Sequence, residues 1–399
     1  MSRKFVVSWR GLSLALAALV PAACTDSPEP VGPDGQVPPP AVSAAAGKVI
    51  PGRFIVTLRE GTDAAAVIRE HGVKPDFVYT RALKGFAVAM SDAARLRLLR
   101  DSRVQMVEPD GIATIVSTEA GATWGLDRVD QHSLPLSTTY TYTANGSGVT
   151  AYIIDTGILF THTEFGGRAT SGFDAVDGGT ADDCHGHGTH VAGTVGGSTY
   201  GVAKGVSLVA VRVLDCNGSG TWSGVIAGID WVTANHQSGT PAVANLSLGG
   251  GANTSVDNAV RNMIADGVAA AIAAGNGNIF GIAQNACKSS PSRVAEAMTV
   301  GATDKADKKA SWSNYGNCVD WFAPGVSITS AWNTSNTATN TISGTSMASP
   351  HTAGVAALYL ETHAGATAQQ VRDALYANTT KGIVTRAKTT NNNLLFTNY

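Results

Sequence analysis

The sequence carries little charge of either sign. Of its 399 residues, 28 are Lys or Arg and 30 are Asp or Glu, which gives a formal net charge of −2. Proteins that bind nucleic acid through its phosphates need a basic surface, so we expect no nucleic-acid partner. Hydrophobic residues make up 44% of the chain, which is enough for a folded core and excludes a wholly disordered protein.

The chain also lacks a hydrophobic run long enough for a permanent membrane span. Its N-terminus has a basic start, a short apolar run over residues 11–20 and the small pair Ala22-Ala23, a pattern typical of an export signal. Cys24 follows directly, as at a lipoprotein cleavage site. The sequence therefore predicts a signal peptide over residues 1–24 and a secreted protein, and leaves lipidation of Cys24 open.

Cysteine is scarce, with five in the whole chain. Because Cys24 lies in the predicted leader, four remain for the mature protein. An even number of cysteines in an exported protein indicates disulfides, and four cysteines allow three pairings. The four are Cys184, Cys216, Cys287 and Cys318.

Two regions of different amino-acid composition follow the predicted signal peptide. Residues 25–47 are rich in Pro, Gly and Ala without apolar periodicity, which predicts a linker. Residues 48–116 then predict a small α+β domain in the order β-α-β-β-α-β, the ferredoxin-like pattern. Its predicted strands are residues 53–58, 77–79, 85–89 and 104–107, and its helices follow Thr62 and Ser91 as N-caps.

Residues 117–399 show short, nearly continuous apolar runs separated by helical stretches. Strands buried on both faces of a parallel sheet have this composition, so the region predicts a doubly wound α/β domain with a mostly parallel sheet. Ligands of such a domain bind at the carboxyl ends of the strands. The predicted strands include residues 149–154, 207–213 and 268–273, and the helices include 223–234 and 257–266.

Three segments carry residues suited to nucleophilic catalysis. Asp155 stands where a buried strand is predicted to end, and His187 begins a helix of small residues. Ser346 begins an apolar helix that runs to Leu360. A Ser hydroxyl is a weak nucleophile until a base removes its proton, and His has an unperturbed pKa suited to that task. A buried carboxylate fixes the His tautomer and stabilises the imidazolium.

A metal centre is the alternative interpretation of the histidine cluster at His185, His187 and His190. The zinc-peptidase pattern requires Glu after the first His, and Gly186 stands there instead. The sequence therefore predicts catalysis without a catalytic cofactor, and a structural role for His190.

The three segments, in the chain order Asp155, His187 and Ser346, resemble the signatures of the subtilisin-like serine proteases, and most closely the proteinase K branch. The likeness covers nearly all of residues 117–399 and includes Trp124–Asp130, which is similar to the mature N-terminus of that branch. It implies a broad-specificity serine endopeptidase that acts on polypeptides through an acyl-enzyme. We expect it to be a monomer.

The resemblance also assigns binding roles. Asn276 resembles the side-chain donor to the oxyanion. Residues 218–220 and 247–249 resemble the two main-chain segments that pair with an extended substrate on either side of the binding groove. The resemblance also implies that Trp222 lines a distal apolar pocket. The predicted substrate-binding residues are Gly218, Gly220, Trp222, Ser247, Leu248, Gly249, Ala274 and Gly275.

Disulfides and structural calcium are further implications of the resemblance. It pairs Cys184 with Cys216 and Cys287 with Cys318. One calcium site would use the Asp320 carboxylate with main-chain carbonyls, and a second would use hard oxygens of one short turn. The predicted ligands are Asp320, Ala295 and Ala297 for the first site, and Asp127, Asp130 and Gln131 for the second.

On a looser match, residues 48–116 resemble the inhibitory propeptide of the family. The sequence thus predicts a precursor that cleaves itself near residues 115–120, with its propeptide as an intramolecular inhibitor. Two alternatives are a catalytically silent binding protein, which the intact triad and Asn276 disfavour, and a narrow processing protease. Processing relatives usually carry an added C-terminal domain, which disfavours the second alternative.

Overall fold

We describe the protein from a computed structural model that covers residues 49–81, 83–111 and 117–399. The predicted signal peptide, Cys24 and the linker lie outside these residues, as does the first part of the predicted cleavage region. The described residues form two compact units, 49–111 and 117–399. Within them, no helix is both long enough and apolar enough to cross a membrane.

The first unit is a four-stranded antiparallel sheet with two helices. Its strand order, β2-β3-β1-β4, confirms the predicted ferredoxin-like arrangement. The elements are β1 (Val49–Leu58), α1 (Ala64–His71), β2 (Pro75–Tyr79), β3 (Gly85–Ala89), α2 (Asp92–Leu98) and β4 (Val104–Gly111).

The N-cap residues of the two helices in this unit can be compared with those predicted from the sequence. Ser91 caps α2 as predicted, because its hydroxyl accepts from the main-chain N–H of Ala94. The prediction for α1 was wrong by one residue. Asp63 is the cap, and its Oδ1 accepts from Ala65 N at 3.0 Å, because a carboxylate at this position reaches the free helix N–H groups better than Thr62 one residue earlier.

The second unit contains the predicted α/β domain. Its strands are β5 (Ser117–Ala120), β6 (Thr139–Tyr142), β7 (Thr150–Asp155), β8 (Ala169–Asp174), β9 (Ser207–Arg212), β10 (Ala242–Leu246), β11 (Gly250–Gly251), β12 (Ala269–Ala273), β13 (Ser289–Ser290), β14 (Met298–Thr303), β15 (Trp321–Pro324), β16 (Ile328–Ala331) and β17 (Thr339–Ile342). Its helices are α3 (Trp124–Val129), α4 (His187–Gly196), α5 (Trp222–Asn235), α6 (Thr254–Ala265), α7 (Thr345–Thr362) and α8 (Ala368–Asn378), with 3₁₀ turns at Thr163–Phe165 and Ala286–Lys288.

Seven of these strands form one sheet in the order β15-β14-β12-β10-β7-β9-β8, and every neighbouring pair is parallel. This confirms the predicted fold class. Helix α7 packs against β10, β12 and β14, whereas α5 packs against β7, β8 and β9. Alternate residues of one strand serve the two layers, as a pleated strand requires. Ala151 and Ile153 join the core with α4 and α7, while Tyr152 and Ile154 join the core with α5.

The sheet has its switch point between β7 and β10, where the chain turns from building one side to building the other. Asp155 is the last residue of β7, and Ser247 follows the last residue of β10. His187 and Ser346 begin the helices that pack on the same face of the sheet. The predicted catalytic residues therefore gather at the strand ends where doubly wound domains bind ligands.

Close backbone contact brings α4 against the end of β7. A Cβ atom on Gly188 would lie 2.2 Å from the carbonyl oxygen of Gly157, so only glycine fits there. The N–H of Gly188 donates to Thr156 Oγ1 at 2.9 Å, which fixes the start of the helix. Residue size at one helical position thus sets the distance between the strand with Asp155 and the helix with His187.

Replacing Gly188 with Ala should therefore destabilise the second unit. Overpacking against main chain costs about 1–3 kcal/mol, which corresponds to a fall in Tm of several degrees. Differential scanning calorimetry measures this. Gly365→Ala is the matched control, because a Cβ at Gly365 meets no atom within 4 Å, and its Tm should stay unchanged. Equal Tm values for the two variants would contradict the steric argument.

Candidate active site

Asp155 and His187 form a hydrogen-bonded pair. His187 Nδ1 lies 2.7 Å from Asp155 Oδ1, and the carboxylate is fully buried. Thr156 N also donates to Oδ1, at 2.8 Å. Because the carboxylate holds the proton on Nδ1, the other ring nitrogen, Nε2, remains as the base.

The charge state of His187 reflects opposing effects. Burial of the imidazole would by itself lower its pKa. The charge and hydrogen bond of Asp155, with a further contribution from the Asp183 carboxylate, outweigh burial and raise the pKa of His187 above its ordinary value. The surroundings therefore favour the imidazolium form, which is the form a general base must adopt during proton transfer.

Asp183 fixes the loop that leads into α4, and sequence reasoning missed it. Its carboxylate accepts from the N–H groups of His185 and Gly186 at 2.9 and 2.8 Å and from Thr156 Oγ1 at 2.9 Å. The N–H and Oγ1 of Thr189 donate to its other oxygen at 2.9 and 2.6 Å. Because these five donors share one buried carboxylate, the start of α4 has a single conformation beside Asp155.

Ser346 lies in the first turn of α7, and its hydroxyl donates to the carbonyl of Ser247 at 3.1 Å. Ser247 Oγ in turn donates to the carbonyl of Ser346 at 2.8 Å, so the two residues hold each other across the groove floor. For proton transfer the Ser346 hydroxyl must turn from the Ser247 carbonyl toward His187 Nε2. Such bonds are commonly loose before substrate binds.

Asn276 follows β12 in the loop opposite Ser346. Its Oδ1 accepts from both the N–H and the hydroxyl of Thr345, at 2.8 and 2.9 Å. Because the oxygen is held in this way, the side-chain amide remains available as a donor. Thr345, the residue before Ser346, therefore positions the Asn276 side chain, and sequence reasoning missed it.

One groove, with a volume of ≈ 960 Å³, joins these residues. Asp155 is buried beneath it, whereas His187, Ser346 and Asn276 line it. The lining also includes His185 and Ile279. All eight residues that were predicted to bind substrate line this same groove: Gly218, Gly220, Trp222, Ser247, Leu248, Gly249, Ala274 and Gly275.

Comparison with known proteins agrees with this geometry. The model of the subtilase family (Peptidase_S8) matches residues 146–396. The chain belongs to the subtilase family. It is 50% identical to an extracellular serine proteinase of Thermus sp. (strain Rt41A) over 96% of this chain and 98% of that protein. It is 49% identical to alkaline serine exoprotease A of Vibrio alginolyticus over 82% of this chain and 61% of that protein.

A solved structure also matches this subtilase. The crystal structure of a cold adapted subtilisin-like serine proteinase is 52% identical in sequence and superposes with a TM-score of 0.66. The match covers 69% of this chain and 98% of that one. Together with the family model, it identifies the protein as a subtilisin-like serine endopeptidase.

Both disulfides that the resemblance implied are present in this subtilase. Cys184 bonds Cys216 with Cα atoms 5.0 Å apart, and Cys287 bonds Cys318 at 5.3 Å. The first joins the loop before α4 to the segment of Gly218, and therefore ties the His187 side of the groove to one predicted substrate edge. His190 has the expected structural role. Burial lowers its pKa to about 4, and its Nε2 bonds the carbonyl of Ile328.

The two predicted calcium sites differ in their fit to a cation. Asp320 Oδ1 accepts from Arg372 Nη2 at 2.6 Å, and Oδ2 accepts from Thr299 N at 2.7 Å. Because a guanidinium already balances this charge, the set with Ala295 and Ala297 does not fit a second cation.

The second predicted calcium site, the turn with Asp127, Asp130 and Gln131, fits a cation better than the site at Asp320 does. Asp130 Oδ1 is buried without a hydrogen-bond partner among the described residues. Burial, with a contribution from the Asp127 carboxylate, raises the pKa of Asp130 to about 6. Among residues 49–81, 83–111 and 117–399, no group of three or more His, Cys, Asp or Glu side chains converges. A cation here would therefore need amide and main-chain oxygens as well.

With His187 as the predicted general base, its raised pKa should set the acid limit of activity. Neutral imidazole is the base, so kcat/KM should fall as pH drops through the pKa of His187, with a midpoint above the usual value of about 6.5. Removing the Asp183 charge removes one cause of the raised pKa, so Asp183→Asn should move the midpoint to lower pH. The measurement is kcat/KM for a peptide amide from pH 5 to 9.

The exposed neighbour Asp182 gives the matched control for this profile. Asp182 is not among the charges that raise the pKa of His187, so Asp182→Asn should leave the midpoint in place. A flat profile down to pH 4, or an equal shift in both variants, would contradict the assignment.

Proposed function

We propose that this subtilase is a secreted endopeptidase of broad specificity that works through an acyl-enzyme at Ser346. The observation that carries the proposal is the 2.7 Å bond between Asp155 and His187 at a groove that Ser346 and Asn276 also line. Each role in the mechanism matches a side chain whose position is fixed by hydrogen bonds within the second unit.

Acylation would begin when a peptide carbonyl carbon lies against Ser346 Oγ. As Oγ forms a bond to that carbon, its proton passes to His187 Nε2, and Asp155 stabilises the imidazolium. The carbonyl π electrons move to its oxygen. The imidazolium then gives its proton to the leaving nitrogen, the oxygen's electron pair re-forms the carbonyl, the C–N bond breaks, and the amine departs to leave an ester on Ser346. Water repeats the sequence on the ester, with His187 again as base, and restores Ser346.

Negative charge on the tetrahedral oxygen is where Asn276 would act. Its free amide N–H groups and the N–H groups at the start of α7 are donors that are in place before the reaction. Losing the equivalent donor in subtilisin, a relative, costs about 2.7–4 kcal/mol of barrier. We expect a loss of the same order for Asn276→Ala.

Broad specificity would follow from how the groove holds its substrate. Its two edges, 218–220 and 247–249, are rich in glycine and present main chain toward an extended peptide. Main-chain pairing recognises peptide backbone irrespective of sequence. Trp222 and Leu248 add apolar surface to the groove, and neither side chain is charged. The groove would therefore favour apolar substrate side chains without requiring a particular one.

Export is supported by three observations. The N-terminus has the pattern of a signal peptide, and the two disulfides suit an oxidising compartment. The Thermus relative is named an extracellular proteinase. Lipidation of Cys24 remains open as a prediction.

We further propose that residues 48–116 are an inhibitory propeptide removed by self-cleavage near residues 115–120. The separate ferredoxin-like unit supports this, because it has its own core of strand and helix residues around Phe86 and Leu98. A parallel sheet with many non-local contacts folds slowly, so a compact preceding domain would help the second unit to fold.

Replacing Ser346 with Ala tests catalysis and self-processing together. Casein hydrolysis should fall by at least about 10⁴-fold, since loss of the nucleophile in subtilisin costs about 2 × 10⁶ in kcat. The full-length precursor should accumulate, as shown by mass spectrometry. Ser335→Ala, at an exposed loop position, should mature and hydrolyse casein normally and lose activity with a serine-directed fluorophosphonate. Normal maturation of the Ser346→Ala protein would disprove self-processing.

Calcium binding at the turn of Asp127, Asp130 and Gln131 is a separate proposal. When bound, the ion would neutralise the Asp130 carboxylate, whose Oδ1 has no hydrogen-bond partner among the described residues, and would stabilise the folded state increasingly as calcium concentration rises. Adding CaCl₂ at pH 8 to the chelator-treated protein should raise Tm by several degrees, and Asp130→Asn should abolish that increment. Asp373→Asn, on the exposed face of α8, should keep it. An unchanged increment in Asp130→Asn would exclude this turn as the site.

A further inference from the structure

Asn276 lies in a segment that has no regular secondary structure to hold it. The residues on both sides, Gly275 and Gly277, have φ angles of +99° and +84°, in the region that favours glycine. The segment therefore leaves the sheet after β12 and cannot continue its ladder of hydrogen bonds. Thr345 holds the Asn276 side chain and also accepts from Gly275 N at 3.0 Å, so the rest of this backbone needs a second contact.

Asn314 supplies that contact from the loop between β14 and β15. Its Nδ2 donates to the carbonyl of Ala274 at 2.9 Å, and its Oδ1 accepts from Gly277 N at 3.1 Å. Its main-chain N–H donates to the carbonyl of Gly275 at 2.9 Å. One residue thus bonds the two residues before Asn276 and the residue after it.

The same side chain closes the base of the loop that follows. Asn314 Oδ1 also accepts from Gln284 N at 2.7 Å, so it joins both ends of residues 277–284. The tip of this loop exposes Ile279 and Phe280, which are 93% and 78% accessible to solvent. The side chains at the tip of this loop pack little against the rest of the protein. The position of the loop therefore depends on the contacts at residues 277 and 284, and Asn314 Oδ1 bonds the main chain of both.

Asn314 is also in tight contact with its neighbours. It is 3% exposed, and a Cβ atom on Gly275 would lie 2.4 Å from its Nδ2. A side chain at position 275 would therefore displace either Asn314 or the segment that holds Asn276. The three hydrogen bonds of the Asn314 amide all go to main chain, at Ala274, Gly277 and Gln284, rather than to other side chains.

We propose that Asn314 is a positioning residue for the reaction, which acts by holding the Asn276 amide where the oxyanion forms. The inference rests on the proposed role of Asn276 and deepens it. The oxyanion forms in the tetrahedral intermediate and the transition states that flank it, and is absent from the bound substrate, so misplacing its donor lowers kcat and leaves KM nearly unchanged. A displacement of about 1 Å in an active site can cost about 10²-fold in rate.

A double-mutant cycle tests the inference with the mature enzyme and a peptide amide substrate. Asn314→Ala should lower kcat about 10- to 100-fold, with KM within about twofold of the unsubstituted enzyme. In an Asn276→Ala background the same change should lower kcat less than about twofold, because the donor it positions is already gone.

A second variant covers the case in which Asn314→Ala fails to fold. Asn314→Asp has the same shape and keeps the two bonds that Oδ1 accepts, but it loses the donor to Ala274. It should also lower kcat, because the new carboxylate oxygen repels the Ala274 carbonyl to which the amide donated. Asn391→Asp is the matched control, because Asn391 Nδ2 likewise donates to a main-chain carbonyl, that of Val319, away from the groove lining. Its kcat should be unchanged.

Each result has one interpretation. Equal falls in kcat with and without Asn276 would overturn the positioning role of Asn314 and leave the role of Asn276 intact. A rise in KM without a fall in kcat would show that Asn314 contacts substrate directly, which also overturns the inference. If Asn276→Ala itself left kcat unchanged, the proposed oxyanion donor would be wrong, and the inference would fall with it.

Discussion

The hydrogen bond between Asp155 and His187 is the interaction on which the rest of the site depends. It joins the end of a buried strand to the start of a helix that packs on the sheet, and it survives only if those elements stay in register. Glycine at Gly188 permits the approach, because any larger residue would meet the main chain of Gly157. Asp183 then fixes the entry to the helix through five donors.

The hydrogen bond between Asp155 and His187 is largely buried, and the carboxylates around it place more negative than positive charge in the protein interior. Two carboxylates, Asp155 and Asp183, act on one imidazole, and one oxygen of Asp155 has no hydrogen-bond partner among the described residues. In water such charges would be screened, whereas in the protein interior they act strongly on the pKa of His187. Desolvation by itself lowers the pKa of His187, and the two carboxylates outweigh it because their charges are weakly screened in the interior.

The sequence allowed prediction of those features that depend on local pattern. Strand and helix periodicity predicted the parallel sheet and the ferredoxin-like unit, and the segments around Asp155, His187 and Ser346 predicted the residues that the groove brings together. It did not reveal Asp183, Thr345 or Asn314. Each of these works through hydrogen bonds to main chain whose position is set by the tertiary fold, so residue type alone carries no signal. Asn314 is one of many asparagines until the sheet brings its loop beside Asn276.

The acidic residues show the same limit of sequence reasoning. Asp130 and Asp320 are one residue type, and both were predicted as calcium ligands by resemblance. The fold gives Asp320 the guanidinium of Arg372 as a partner and leaves one oxygen of Asp130 buried without a partner. Burial, with a contribution from the Asp127 carboxylate, raises the pKa of Asp130 to about 6, and burial also raises the pKa of Asp320 although Arg372 opposes it. Calcium affinity at this turn would therefore compete with a proton, and it would weaken as pH falls toward that value.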